Sequence, residues 1–318
     1  RLRLQESNDI VKRLAAADPS SASLQRDVGV SLEKLGNVLV DQGNFAGARL
    51  RFQESYDIAK RLAAADPSSA ALKRDVSVSL EKLGKVLVTQ DDLAGAWLCF
   101  QESYDIRSRL AAADPSSAAR QRDFSVSLER LGDVLVAQGD PAGAWLYFRE
   151  SYDILKRLAA ADPSSAERQR EVSVSLNKLG DVLVAQGDLP GAWLRFQESY
   201  GIAERLAAAD PSSASLQRDV SVSLDRLGEV LVDQGDLAGA GLRFQESYRI
   251  RKRLAAADPS SADFQRSLIV SHVKIYQVTN DATYIRQALE IAVSMQQKGL
   301  LAPVDAWMIE NLRRIIGL

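Results

Sequence analysis

One string governs this chain. Leu-Ala-Ala-Ala-Asp-Pro-Ser-Ser-Ala begins at Leu14, Leu62, Leu110, Leu158, Leu206 and Leu254, a spacing of 48 residues each time. Leu-Gly recurs in the same register at Leu35-Gly36, Leu83-Gly84, Leu131-Gly132, Leu179-Gly180 and Leu227-Gly228. Phe-x-Glu-Ser-Tyr begins at Phe52, Phe100, Phe148, Phe196 and Phe244, with a degenerate copy from Leu4. A fixed period without insertions specifies a repeat array rather than several unlike domains. At 318 residues the chain is otherwise long enough for two or three ordinary domains.

Each period reads as two helices. Between Ser69 and Thr89 the apolar residues Leu72, Val76, Leu80, Leu83 and Leu87 fall at gaps of four, four, three and four, which is the helical stripe. Ser68 or Ser69 caps its start. Gln-Gly-Asp, or Gln90-Asp91-Asp92 in one copy, ends it, with Gly supplying the left-handed turn. A second stripe runs Leu93, Ala96, Trp97, Phe100, Tyr104 and Leu110 and stops at Asp114-Pro115, because proline cannot continue a helix. Both helices come to about 20 residues, or about 30 Å. Val76-Ser77-Val78-Ser79 alternates like a strand, but it lies inside the helical spacing and is read as helix, with the serines on another face.

These residues resemble the tetratricopeptide repeat, a helix–turn–helix unit usually shorter than this one. Leu131-Gly132 matches the family's Leu-Gly, and Gly139-Asp140 its turn. Ala144 matches its early small residue, Phe148 its aromatic and Pro163 its closing proline. Ser151 stands where a second alanine is usual, and Leu128 where a large aromatic is usual. The resemblance implies an all-α fold, a right-handed α–α superhelix of antiparallel helix pairs. The expected organisation is a single solenoid. It holds a half-repeat over 1–18, full repeats over 22–66, 70–114, 118–162, 166–210 and 214–258, and a degenerate last repeat with a C-terminal capping helix over 262–318. In that last stretch Tyr276 replaces the glycine, and a helix is expected from Val304 to Ile316. Arg1 aligns with Arg49, so the expectation is a piece of a longer protein whose first helix pair is incomplete. Five mid-helix glycines, each costing about 1 kcal/mol against Ala, point to close helix contact. Ala48, Ala96, Ala144, Ala192 and Ala240 are their expected counterparts.

Composition excludes several functions. Lys+Arg 40 against Asp+Glu 42 gives a net charge of −2, so no basic field invites nucleic acid. No apolar run is long enough for a membrane span, and the expected location is cytoplasmic. One cysteine and one histidine leave little for metal sites or nucleophilic catalysis. His272 has no second His or Cys near it and reads as structural. Cys99 occupies a position where other copies carry Arg51, Tyr147, Arg195 and Arg243, so it is expected to be partly buried and unreactive. Asp91-Asp92 and the Gly-Asp turns supply too few oxygens for calcium. No phosphate-binding loop is present. No enzyme activity, metal or cofactor is expected. Trp97, Trp145 and Trp193 recur at the same period and read as packing between repeats rather than as an aromatic ladder for a ligand.

What remains is binding. The resemblance implies a concave groove lined by the first helix of each pair, three residues before the Leu-Gly glycine, one after it and five after it. Those positions are Glu33, Asn37 and Asp41, then Glu81, Lys85 and Thr89, then Glu129, Asp133 and Ala137. They continue as Asn177, Asp181 and Ala185, then Asp225, Glu229 and Asp233. Val30, Val78, Val126, Val174 and Val222 form the expected floor. Lys34, Lys82, Arg130, Lys178 and Arg226 are basic in every copy and can pair three residues along the helix with Asp133, Asp181 and Glu229. The face is then either a self-neutralised surface or an acidic groove for a basic or amphipathic segment. Only Asn37 fits the pattern with which some relatives clamp a terminal carboxylate, so that ligand is not carried over. The expected partner is a protein or peptide. The alternative is a sensor or regulatory arm attached to an ATPase or protease domain.

Overall fold

The computed structural model describes residues 2–302 and 305–317, with the side chains of all of these except residues 2–4 and 7. Leu4 and Val304, both used in the sequence reading, therefore fall outside what is described at side-chain level. Among the described residues there are fourteen helices and no strand: α1 Leu2–Ala17, α2 Ala22–Asp41, α3 Phe45–Ala65, α4 Ala70–Thr89, α5 Leu93–Ala113, α6 Ala118–Ala137, α7 Pro141–Ala161, α8 Ala166–Ala185, α9 Leu189–Ala209, α10 Ala214–Asp233, α11 Leu237–Ala257, α12 Ala262–Thr279, α13 Ala282–Gln297 and α14 Trp307–Ile315. The protein is an all-α helical-repeat fold. Two compact units divide within α7, residues 1–158 and 159–318. In each, consecutive helices pack in series.

The recurring strings are the joints. In Asp-Pro-Ser-Ser the two serines have separate duties. Ser69 Oγ caps α4 by accepting from the Leu72 amide at 3.3 Å. Ser68 Oγ donates to Asp66 Oδ1 at 2.6 Å and holds that carboxyl below the usual range. An N-cap of this kind is worth about 1 kcal/mol. At the other joint Gly139 sits at φ +78°, and the Asp140 amide reaches back to the Leu135 carbonyl at 2.8 Å. Asp140 Oδ1 then accepts from the Gly143 amide at 2.9 Å and so starts α7. One aspartate thus ends a turn and caps the next helix. Asp91 occupies the glycine position of the turn at φ +61°.

The helix-centre glycines face phenylalanine rather than the expected alanines. A Cβ built on Gly84 would stand 2.5 Å from Phe100 Cε1, and the same holds for Gly36 against Phe52 at 2.4 Å and Gly228 against Phe244 at 2.3 Å. The alanines are fully buried one turn earlier, in the contact with the following pair. Ala48 and Phe52 pack with Leu83 and Val86, and Ala96 and Phe100 with Leu131 and Val134. The serines of Val-Ser-Val-Ser are core residues: Ser77, Ser79, Ser221 and Ser223 are all buried. Some hydroxyls are satisfied locally, as where Ser77 Oγ donates to the Arg74 carbonyl at 2.7 Å, and others across helices, as where Ser79 Oγ donates to Glu33. The first valine of each string is buried as well, as Val76 and Val220 are, and only the second, as Val78 or Val174, stands toward the surface.

The C-terminal unit closes on a different core. Ile269, Ile285, Ala292 and Met295 are covered by Ile309 and Leu312 of α14. Arg266 bonds Asp305 at 2.5 Å across the same junction.

Candidate functional site

Helices α2, α4 and α6 present the predicted groove positions of the first unit. Val30 is 45% exposed, and Val78 and Val126 are half-buried. Asn37, Asp41, Lys85, Thr89 and Ala137 are exposed, whereas Glu33, Glu81, Glu129 and Asp133 are half-buried. The half-buried acids are engaged. Lys82 reaches back to Glu33 of the preceding pair at 3.4 Å, and Arg130 reaches back to Glu81 at 3.2 Å. Arg130 also pairs along its own helix with Asp133 at 3.4 Å, and Ser151 donates to Glu129 at 3.3 Å. Glu81 meets Lys85 at 2.6 Å and Arg107 at 2.8 Å as well. Burial opposes its charge, but Arg107, Lys85 and Arg130 together outweigh that and hold its pKa down to about 2.

Helices α8 and α10 carry the positions of the second unit. Val174 is exposed and Val222 half-buried. Arg226 pairs with Asp181 at 3.1 Å and with Glu229 of its own helix at 3.0 Å. Burial pushes Asp181 up to about 6 against the pull of Arg226. Asp225 is buried against Arg251 at 2.7 Å. Lys274 contacts Asp225 at 3.8 Å and bonds Glu229. Asp233 and Ala185 are exposed and Asn177 is half-buried.

The charges divide between paired inner positions and exposed outer ones. Pairing along one helix occurs as the spacing predicts. The larger effect is pairing between repeats, 45 or 49 residues apart, which within each unit turns the inner acids into rungs that tie successive first helices together. The outer positions stay exposed beside the valines.

Two features escaped sequence reasoning. Arg107 and Arg251 are buried, at 3% and 7% exposure; nothing in a helix face carrying Ala59, Leu155 and Ala203 in the other copies announces a buried cation. Leu98 is 70% exposed, and Leu50 and Leu146 are 69% and 63% exposed in the same unit. Their recurrence at 48 was the available signal. Trp97, by contrast, is half-buried and meets Tyr147 edge-on at 6.4 Å, a contact between successive pairs.

The single-copy residues carry no assembled chemistry. His272 packs between Tyr248 and Tyr284, at 5.1 and 6.0 Å between ring centres, and burial lowers it to about 4. Cys99 is half-buried, and burial raises its thiol to about 11, away from the reactive thiolate. Among the described residues no group of three or more His, Cys, Asp or Glu is placed to hold a metal ion. No described helix is long and apolar enough to cross a membrane.

A family model described as tetratricopeptide repeat matches residues 28–67. The strings inside that stretch recur at the 48-residue period, so the similarity to the tetratricopeptide repeat extends beyond the matched residues. Solved structures agree on the fold. BtubC from P. vanneervenii is similar over 80% of this chain and 90% of its own, with 16% identity and a TM-score of 0.61. The S. pombe nuclear import adaptor Nro1 is similar over 92% of this chain and 99% of its own, with 13% identity and a TM-score of 0.55. A Rap protein complexed with competence and sporulation factor is similar over 96% of this chain and 79% of its own, with 11% identity and a TM-score of 0.53. No curated protein matches the sequence. Stacked helix pairs of this kind form extended surfaces.

Proposed function

We propose that the protein is a non-catalytic scaffold that binds a peptide or partner protein along the exposed face of its first helices. The observation that carries this is the pairing of exposed Val30 and Val174 with acids whose inner members are neutralised and whose outer members, Asp41 and Asp233, face solvent. Apolar contact then supplies affinity, and the outer carboxylates favour a basic or amphipathic segment. Similar folds that act as an adaptor or were solved in complex with a factor support the class of partner. A cytoplasmic partner fits the single thiol, Cys99.

The test is selection of peptides on the immobilised protein, followed by cross-linking to map where they lie. Selected peptides should cross-link beside Val30, Val78 or Val174. Their binding should weaken as salt shrinks the Debye length from about 10 Å to about 3 Å. Asp41→Lys with Asp233→Lys should weaken it further without unfolding the chain, since both are exposed. Cross-links at Leu50, Leu98 and Leu146, or binding unchanged by 1 M salt (a Debye length of about 3 Å) and by both substitutions, would sink the reading.

A further inference from the structure

The repeats are internal controls for one another, and one position differs in an informative way. In the second full copy the guanidinium of Arg107 fills the space between α4 and α6. It donates to Ser77 Oγ at 3.1 Å, to Glu81 at 2.8 Å and to the Asp123 carbonyl at 3.2 Å. Arg251 does the same in the fifth copy, with Ser221 Oγ at 3.1 Å, Asp225 at 2.7 Å and the Ser267 carbonyl at 3.4 Å. The structure thus shows twice what this niche accepts.

The first copy has the niche without the arginine. Ala59 stands where Arg107 stands, and Gly29 where Ser77 stands. Both replacements remove volume, and a cavity of about 120 Å³ lies there, lined by Glu33, Ser55, Ala59 and Asp75 and also by Arg26 and Arg74, among others. That approaches the roughly 150 Å³ that admits a benzene ring in an engineered core. The acceptors remain, namely the Glu33 carboxylate and the Asp75 backbone at the position of Asp123. Glu33 is also short of cations relative to Glu81. Its partners are Lys82 at 3.4 Å and the hydroxyls of Ser79 and Ser55 at 2.9 and 3.4 Å, whereas Glu81 has Arg107, Arg130 and Lys85. The neighbouring cations are already matched. Arg26 bonds Asp75 at 2.6 and 3.0 Å, and Arg74 bonds Asp123 at 2.5 and 3.2 Å.

No other full copy combines these features. The third has Leu155 at the arginine position, and the fourth, with Ala203, has Asn177 in place of the carboxylate. The cavity lies beside exposed Val30, on the face proposed above for binding.

We propose that the niche beside Ala59 is a socket for an arginine side chain of the bound segment, which takes the place of the arginine that two other copies supply from their own helices. The source of that arginine rests on the scaffold reading; the chemistry of the socket does not. A guanidinium satisfies the carboxylate and the carbonyl together through its planar fork, which an ammonium cannot reproduce.

The probe is Nα-acetyl-arginine amide, titrated into protein labelled with 15N-glycine. The Gly29 amide should shift saturably. The neutral citrulline analogue should bind at least about tenfold more weakly, a difference of about 1.4 kcal/mol. Ala59→Leu, which copies the third repeat, should abolish the shift, and the isosteric Glu33→Gln should weaken it by a similar factor. A shift that persists in Ala59→Leu, equal shifts with citrulline, or no saturable shift would overturn the socket. Amide binding at Gly29 together with selected peptides that cross-link at the exposed leucines would keep the socket and defeat the scaffold reading of this face. Selected peptides lying beside Val30 while the amide leaves Gly29 unmoved would do the reverse.

Discussion

The ring of Phe100 occupies the place where a side chain on Gly84 would begin, with Cε1 2.5 Å from the ideal Cβ position. Gly84→Ala should therefore lower stability although alanine is the better helix former by about 1 kcal/mol. The ring or the helix must move, and overpacking of this kind costs roughly 1–3 kcal/mol. Gly29→Ala is the matched control. It is also a buried helical glycine, but its Cβ would meet nothing closer than 3.5 Å, so it should be neutral or stabilising. Urea midpoints for the two variants check the contrast; equal midpoints would show that the ring contact is immaterial.

Asp91 holds a left-handed conformation, φ +61°, that Gly43, Gly139, Gly187 and Gly235 hold at the same turn. Asp91→Gly should raise stability by roughly 0.5–1 kcal/mol, since L side chains are strained there. Gly139→Ala should lose a similar amount, and for the backbone alone, because nothing lies within 4 Å of the added carbon. Melting temperatures that move in the same direction for both changes would contradict this account.

Acid should loosen the fold through two named groups. His272 titrates near 4 in the folded chain but near 6.5 when unfolded. The unfolded state therefore takes up a proton first, and stability falls as pH drops from about 6.5 to about 4. His272→Phe should remove that slope, and it also removes a buried Nδ1 that has no hydrogen-bond partner. Glu81 works in a lower window. Its folded pKa of about 2 lies below the ordinary 4.5, so its stabilising contribution is present above about 4.5 and is lost as pH falls towards 2. That contribution is bounded by roughly 3 kcal/mol, and Glu81→Gln should flatten it. Melting curves between pH 7 and pH 3 separate the two; an unchanged profile in either variant would remove that residue from the account.

Arg107 should tolerate no simple truncation. Arg107→Ala removes a buried cation from the Glu81 cluster and leaves Ser77 Oγ without its guanidinium, which by analogy with other broken buried pairs costs about 3 kcal/mol. Arg107→Ala should also shift the Glu81 titration upward. Added guanidinium at low millimolar concentration should restore part of the melting temperature, whereas an equal concentration of sodium should not. Equal effects of the two salts would show that the niche does not recognise the planar cation.

Removing residues 304–318 should lower the melting temperature and the solubility. Ile309 and Leu312 cover Ile285, Ala292 and Met295, and at about 25 cal/mol per Å² of apolar area the exposed flank loses several kcal/mol. A truncated chain as soluble and stable as the parent would show that α14 is not a cap.

The sequence by itself determined the period, the helices and their joints. Leu-Gly, Gln-Gly-Asp and Asp-Pro-Ser-Ser act within a few residues, through backbone conformation and capping, so they can be read one repeat at a time. Pairing three residues along a helix is equally local, and Arg130 with Asp133 and Arg226 with Glu229 follow it. Only the tertiary structure decided what meets across helices. It set phenylalanine rather than alanine against the glycines, because the facing helix is offset by one turn. It turned Ser77 and Ser79 inward beside the buried Val76 and left Val78 toward the surface, because the second helices bring Ser103 and Ser55 against that face. It brought Lys82 to Glu33 and Arg130 to Glu81, a relation fixed by how one pair stacks on the next. The cavity beside Ala59 belongs to the same category: a missing side chain is legible in the sequence, but whether its absence leaves space depends on whether the neighbouring helices close over it, and here they do not.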